Sequence, residues 1–444
     1  MRTAKRSETW FVIAVVFAVS LFHTHVAFAV PSFAEQTGQP CAACHVGAFG
    51  PQLTPFGRDF KLNGYVASDG KNHFPPLAMT AQGSFTNTQD AQQPPVPHYA
   101  PNNNATLDQA SFYYAGRILP SLGAFVQITY DGVARQLHID NTDIRYAKDT
   151  DLFDEDLVYG FTANNSPTVS DLWNSTPVWG FPYNQSPLAP SPRAATLIDG
   201  GLAQRVAGGG AYAMWNDLLY AEVDLYRGLG YDVLNATGIV PVYGSDKTKG
   251  LIPYWRLALQ QSIGRHYFEF GTYGLTASVL PGGLDVGYAN QVTDAALDAN
   301  YQFRFDLKNV TSDLISAHAT WIHENASTKA SQIILGSNPT ERLTTFRADV
   351  SYSFGATITP TIQYFQTGGS SDAAYWGTPS GSPNSSGVIA EIAYVPFGKP
   401  DSIISWGNIR FAIQYVNYFK FDGGTHNATG NNALYLSVWA ATHF

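Results

Sequence analysis

From about Leu77 to the C-terminal Phe444, apolar and polar residues alternate with a period of two rather than 3.6. Between Leu343 and Phe354, the residues Phe346, Ala348, Val350, Tyr352 and Phe354 fall on one face, and Arg347, Asp349, Ser351 and Ser353 on the other. Leu297, Ala299, Tyr301, Phe303 and Phe305 alternate in the same way with Asp298, Asn300, Gln302 and Arg304. So do Leu219, Ala221, Val223 and Leu225 with Tyr220, Glu222, Asp224 and Tyr226. One such segment also fits a soluble sandwich. Many of them, with large aromatics on the apolar face, predict an all-β, transmembrane antiparallel barrel.

Sixteen candidate strands are spaced along the chain, near 77–87, 106–118, 122–131, 138–147, 156–164, 209–216, 218–227, 253–262, 264–275, 293–305, 311–323, 342–354, 356–367, 386–396, 408–418 and 432–444. The number is even, as closed bacterial barrels require. The segments 138–147 and 156–164 are weakly patterned. Brief connections such as Pro120-Ser121, Asn216-Asp217, Ile263-Gly264 and Gly355 mostly alternate with long ones such as 88–105, 165–208, 228–252, 276–292, 324–341 and 368–385. Short periplasmic turns and long extracellular loops have this rhythm, which sets both termini in the periplasm. The connection 132–137 is short where a long loop is expected. The chain closes on Phe444, with Leu434, Leu436, Val438, Ala440 and Thr442 on its face, as a final barrel strand would.

Composition sharpens this reading. Charged residues make up 13% of the chain and aromatics 14%, whereas ordinary soluble domains carry about 25% charged residues. A net charge of −9 gives no reason to expect a nucleic-acid partner. At the N-terminus, Arg2, Lys5 and Arg6 precede the apolar run Trp10 to Phe22, and Ala27-Phe28-Ala29 follows as a cleavage signature. The expectation is a signal peptide over 1–29, cut after Ala29. The apolar run is too short for a spanning helix, which needs about 20 residues.

Both cysteines of the chain lie in Cys41-Ala42-Ala43-Cys44-His45. A disulfide suits an oxidising compartment. A redox pair would want a βαβ context, which is missing here. A zinc site would need a fourth ligand at a suitable spacing. The haem c reading uses the whole motif: one covalent haem on Cys41 and Cys44, with His45 as the proximal iron ligand. For the distal position the nearest candidates are Met79 and His73. This haem segment, taken as 30–75, is too small to fold well alone.

The barrel, taken as 76–444, offers the missing surface. Its predicted lumen face carries Arg117, Glu222, Asp224, Arg256, Glu269, Asp298, Arg304, Arg347, Asp349, Glu391 and Arg410. A wall of this kind either lines water or grips a plug, and the economical arrangement packs the haem segment inside the lumen. Asp140, Asp143 and Arg145 are read as ordinary wall, with a place beside the plug as the alternative. A haem held within a hydrocarbon layer about 25–30 Å thick can take an electron on one side and release it on the other. Ferrous iron is a one-electron donor of the right kind.

Residues 31–65 (PSFAEQTGQPCAACHVGAFGPQLTPFGRDFKLNGY) resemble the N-terminus of the fused outer-membrane monohaem cytochrome c–porin family implicated in extracellular iron(II) oxidation. ASFYYAG (Ala110 to Gly116) and SDLWNSTPVWGFPY (Ser170 to Tyr183), taken as barrel segments, resemble it too. The resemblance implies an iron(II):cytochrome c oxidoreductase in the bacterial outer membrane. Electrons would pass from extracellular Fe(II), or another one-electron donor, to a periplasmic c-type cytochrome. Two rival functions share the fold: a haem-bearing porin for small solutes, and a conduit running outward to extracellular acceptors. No Ser/His/Asp, P-loop or HExxH signature adds a second chemistry.

Overall fold

The computed structural model of the chain describes residues 31–71, 74–239, 244–404 and 406–443. The segment 1–29, Val30, His73 and Phe444 lie outside these residues.

The alternating region forms one antiparallel sheet that closes on itself. The first strand, Leu77–Thr88, pairs with Asn104–Leu119 on one side. On the other side it pairs with the last strand, Ala433–His443, in register from Ala78 opposite His443 to Thr88 opposite Ala433. Closure leaves no free edge. The sheet contains seventeen stretches of strand. Lys247–Lys249 and Leu251–Ile263 both pair with His266–Leu280 and are one strand interrupted at Gly250, whose φ is +81°. Counted so, the barrel has sixteen strands, as the alternation predicts. The two weakly patterned segments are strands as well, Gln136–Leu152 and Glu155–Asn164.

The barrel is inverted relative to a soluble protein. Leu219, Val223 and Leu225 are exposed, while Tyr220, Glu222, Asp224 and Tyr226 between them are buried. The same holds for Phe346, Val350 and Phe354 against Asp349, Ser351 and Ser353. An apolar exterior of this kind belongs in lipid. Among the described residues no helix is long and apolar enough to cross a membrane. Tight turns follow local chemistry: Asn216 and Asp217 both adopt positive φ, which their short polar side chains tolerate.

The N-terminal residues form a helical plug inside the barrel, with helices Pro31–Thr37, Cys41–Cys44 and Pro55–Leu62. The last begins at Thr54, whose hydroxyl accepts from the Gly57 amide at 3.3 Å, with proline at its first position. Gly57 lets this helix lie against the Cys41–His45 motif, since a Cβ there would sit 2.3 Å from the Cys44 carbonyl oxygen.

Plug groups meet wall groups around much of the lumen. The Ser32 hydroxyl donates to Ala115 O at 2.7 Å. Tyr65 Oη donates to Asp143 Oδ2 at 2.7 Å, and Tyr212 Oη to Leu62 O at 2.8 Å. Gln302 donates to Leu53 O and Asn408 to Ala48 O, each at 2.8 Å. Arg58 stacks on Tyr267 with 3.8 Å between guanidinium and ring centre. The sequence led us to expect a grip by hydrogen bonds and ion pairs. Hydrogen bonds to plug carbonyls dominate, because the wall's buried cations are mostly engaged by acids of the wall or of the loop described next.

That loop corrects the sequence reading. Residues 165–208 were expected outside, and Ser170 to Tyr183 was taken as a barrel segment. Instead the stretch folds into the lumen from the rim opposite the termini and covers the plug. Val169, Leu172 and Trp173 are fully buried there. Its carboxylate Asp171 accepts from the amides of Trp173, Ser175 and Thr176 and pairs with Arg256 at 3.3 Å. The short connection at 132–135 stands as the sequence has it, on the rim of longer loops.

Candidate functional site

The motif Cys41–His45 lies where plug, wall and infolded loop converge. Cys41 sits at the start of a single helical turn, so Cys44 follows about one turn later on the same side. Its amide neighbour Ala42 donates to Gly398 O at 3.1 Å, tying the turn to a loop at the terminal-side rim. A Cβ on Gly398 would fall 2.9 Å from Cys41 Sγ, so only glycine admits this approach.

Beside the motif is a cavity of about 440 Å³, within the range of cofactor sites, roughly 300–1,000 Å³. Cys44 and His45 line it, together with Phe33, Phe60, Phe125, Trp179, Tyr183 and Trp439. Phe33 stacks on Tyr65 with ring centres 5.2 Å apart, and Trp439 meets Phe49 edge-on at 5.2 Å. The cavity is therefore walled by rigid aromatic surface from both plug and barrel.

Both cysteines carry free thiols, and burial pushes each up to about 12. An activated redox cysteine is shifted the other way, so this environment does not suit a redox pair. Burial pulls the His45 imidazole down to about 4, against a smaller opposing effect of the Gly50 backbone. His45 is thus neutral at physiological pH, and its Nδ1 is buried without a hydrogen-bond partner. Among the described residues no group of three or more His, Cys, Asp or Glu side chains could hold a metal ion alone. The neutral His45 imidazole and the Cys44 thiol facing an aromatic cavity fit a covalent haem, whereas Cys41, at the start of the same turn, packs against Gly398 and does not line the cavity.

The distal candidates fare differently. Met79 lies on the outer face of the first strand and is 39% exposed, while its neighbours Ala78 and Thr80 are buried on the lumen side. The structure does not bring Met79 to His45, because the strand's period of two turns it toward lipid. His73 lies outside the described residues. The other polar groups of the cavity wall are amide and hydroxyl side chains, the acid Asp140 and the amine of Lys61.

The predicted lumen residues Glu222, Asp224, Arg256, Glu269, Asp298, Asp349, Glu391 and Arg410 are all buried on the inner face. Arg304 and Arg347 are half-buried, and Arg117 is exposed at the terminal-side rim. Arg145 and Asp143 lie beside the plug, the alternative rather than the plainer reading: Arg145 donates to Lys61 O and Ser170 O and pairs with Asp143 at 2.7 Å. Sequence reasoning missed Lys61. It is fully buried, and its Nζ donates to Val169 O, Asp171 O and Asn174 Oδ1 at 2.9, 2.5 and 3.0 Å. Arg256, predicted for the lumen face, grips Asp298 through both terminal nitrogens while pairing with Glu269 and Asp171.

No protein-family model matches this chain, and no curated protein is significantly similar to it. Several solved outer-membrane proteins resemble it at low identity. The outer membrane channel DcaP of Acinetobacter baumannii aligns over 83% of this chain and 96% of its own, at 11% identity and a TM-score of 0.47. The anion-selective porin from Comamonas acidovorans aligns over 83% and 98%, at 10% identity and a TM-score of 0.46. OmpT of Vibrio cholerae, lacking loop L8, aligns over 83% and 98%, at 10% identity and a TM-score of 0.44. This chain is a closed antiparallel barrel of sixteen strands with an apolar exterior. Its lumen differs from an open channel in holding an N-terminal plug and an infolded loop.

Proposed function

We propose that this chain conducts electrons across the outer membrane on one haem c that Cys41 and Cys44 would hold covalently, with His45 as an iron ligand. The donor is extracellular Fe(II) or another one-electron reductant, and the acceptor a periplasmic c-type cytochrome. The observation that carries this reading is the motif Cys41–His45 lying inside a membrane barrel, against an aromatic cavity of cofactor size.

When bound, the haem supplies one-electron chemistry. The chain's own residues supply the rest. Cys41 and Cys44 fix the group to the plug, and His45 offers a neutral nitrogen. Phe33, Phe60, Phe125, Trp179 and Trp439 line the cavity and would exclude water from a group held there. The infolded loop closes the cavity on the side away from the termini, so a donor on that side meets protein rather than open water. Each turnover oxidises one Fe(II) to Fe(III) and reduces one acceptor cytochrome by one electron.

The test is spectroscopic. The purified mature protein should give a c-type haem spectrum with a single haem per chain, reduced on adding Fe(II). Cys44→Ala should lose the covalent haem while the barrel still assembles. A pigment-free wild-type protein would end the proposal.

A second reading, a channel for small solutes, is favoured by the barrel fold shared with porins and by a further cavity of about 430 Å³ at the opposite rim. Ion conductance in planar bilayers separates the two.

A further inference from the structure

The cavity at the rim opposite the termini carries a feature that the haem motif does not explain. It lies between the infolded loop around Arg193–Arg205 and the ends of strands Asn290–Arg304 and Leu314–Ser327. Glu324 lines it, and Asp294 sits directly opposite Glu324 in the pairing of those strands. Both side chains face the lumen and are almost wholly buried, at 2% and 4% exposure.

One oxygen of each carboxyl group is already fixed. The Leu197 amide donates to Glu324 Oε2 at 2.6 Å, and the Ile198 amide to Asp294 Oδ2 at 2.7 Å. The two carboxyl groups also lie within hydrogen-bond reach of one another. Asp294 Oδ1 is buried with no donor at all.

Most other lumenal acids are compensated. Asp143 has Arg145, and Asp171, Glu269 and Asp298 share Arg256. Asp199 has Arg347, Asp349 has His318, and Glu391 has Arg410. Among the described residues, no Lys, Arg or His forms an ion pair with Asp294 or Glu324. Glu222 and Asp224 also lack one, and each keeps one unpartnered oxygen, but tyrosine hydroxyls donate to both, from Tyr220 and Tyr226. Two carboxylates in contact cannot both stay ionised in a buried place without a cation or a shared proton.

We propose that Asp294 and Glu324 form a binding site for a divalent metal cation, reached through the cavity at the outer rim. Carboxylate oxygens are the donors that hard divalent cations select. With only two such groups, the cation keeps most of its water, for which the cavity has room, and exchanges readily. That suits a transient guest better than a resident ion. As the seat of the electron donor, the site rests on the conduit reading; as a cation site, it stands by itself.

Mn²⁺ binding to the full-length protein in detergent, followed by electron paramagnetic resonance, tests it. Glu324→Gln and Asp294→Asn are isosteric and keep an oxygen for the Leu197 and Ile198 amides. Each should weaken Mn²⁺ binding by about tenfold or more, while Asp285→Asn, at an exposed surface pair with Lys249, leaves it unchanged. Heat-modifiable mobility on gels checks that the variants remain folded barrels. Absence of Mn²⁺ binding in the wild type, or equal binding in both variants, overturns the site and leaves a shared proton as the explanation. Reduction of the haem by ascorbate, which needs no metal, judges the conduit separately.

Discussion

Lys61 is the point at which plug and infolded loop are fastened together. Its amine donates to two loop carbonyls and one loop amide oxygen with no water in between. Burial and the nearby Arg145 pull it down to about 7. Its folded value thus lies below its ordinary value of 10.5. Between those two values the unfolded chain holds a proton that the folded chain has released, so stability rises with pH across that window and is flat below it. The apparent melting temperature in detergent should therefore climb between pH 7 and pH 10, as far as Lys61 governs it. Lys61→Met should flatten that slope. At pH 9 it should also cost about 2–3 kcal/mol, because buried acceptors lose their donor. An unchanged slope in the variant would show that another group sets the dependence. Cys41, Cys44 and His45 were legible because their chemistry demands a fixed order and spacing. Lys61 was not, since a lysine in an amphipathic helix reads as a solvated one until its surroundings are known.

At the level of elements, the strands were legible and the infolded loop was not. Alternation survives wherever one face meets lipid and the other the lumen, so most strands declared themselves. Gln136–Leu152 was faint because it runs past the apolar band, and its last residues, Lys148 to Leu152, are exposed on both faces. A loop carries no period, so 165–208 read the same whether outside or inside. Its aromatic content was the available signal: Trp173, Trp179 and Phe181 are costly to leave in water. Trp173 is wholly buried, with its indole nitrogen donating to Gln260 Oε1 and Tyr267 Oη at 3.2 and 2.5 Å. Truncating it should cost about 3–5 kcal/mol. That loss falls on the loop rather than on the strand ladder. Trp173→Ala should expose 165–205 to protease in a barrel that otherwise resists digestion. If cleavage instead spread evenly through the strands, the loop would not be a separate unit.

For the whole molecule, the decisive property is that sixteen strands enclose more space than their own side chains fill. Barrels of this size leave an aqueous channel unless something else enters. Here two pieces of chain enter from opposite ends: the plug from the terminal side and the loop from the other. Where they meet, Tyr183 Oη donates to Gln52 Oε1 and Asn174 to Pro51 O, at 3.0 and 2.5 Å. The cavities at the two levels share no lining residue. Full-length protein in a planar bilayer should therefore pass little ionic current. Asp171→Asn removes the carboxylate that both caps the loop's turn and pairs with Arg256, and loss of one partner of a buried pair costs about 3–5 kcal/mol. The variant should show intermittent openings as the loop leaves the lumen, with the plug still tethered to the first strand. A steady porin-sized conductance from the unaltered protein would mean that solute passage, not electron transfer, is what the closed lumen must be reconciled with.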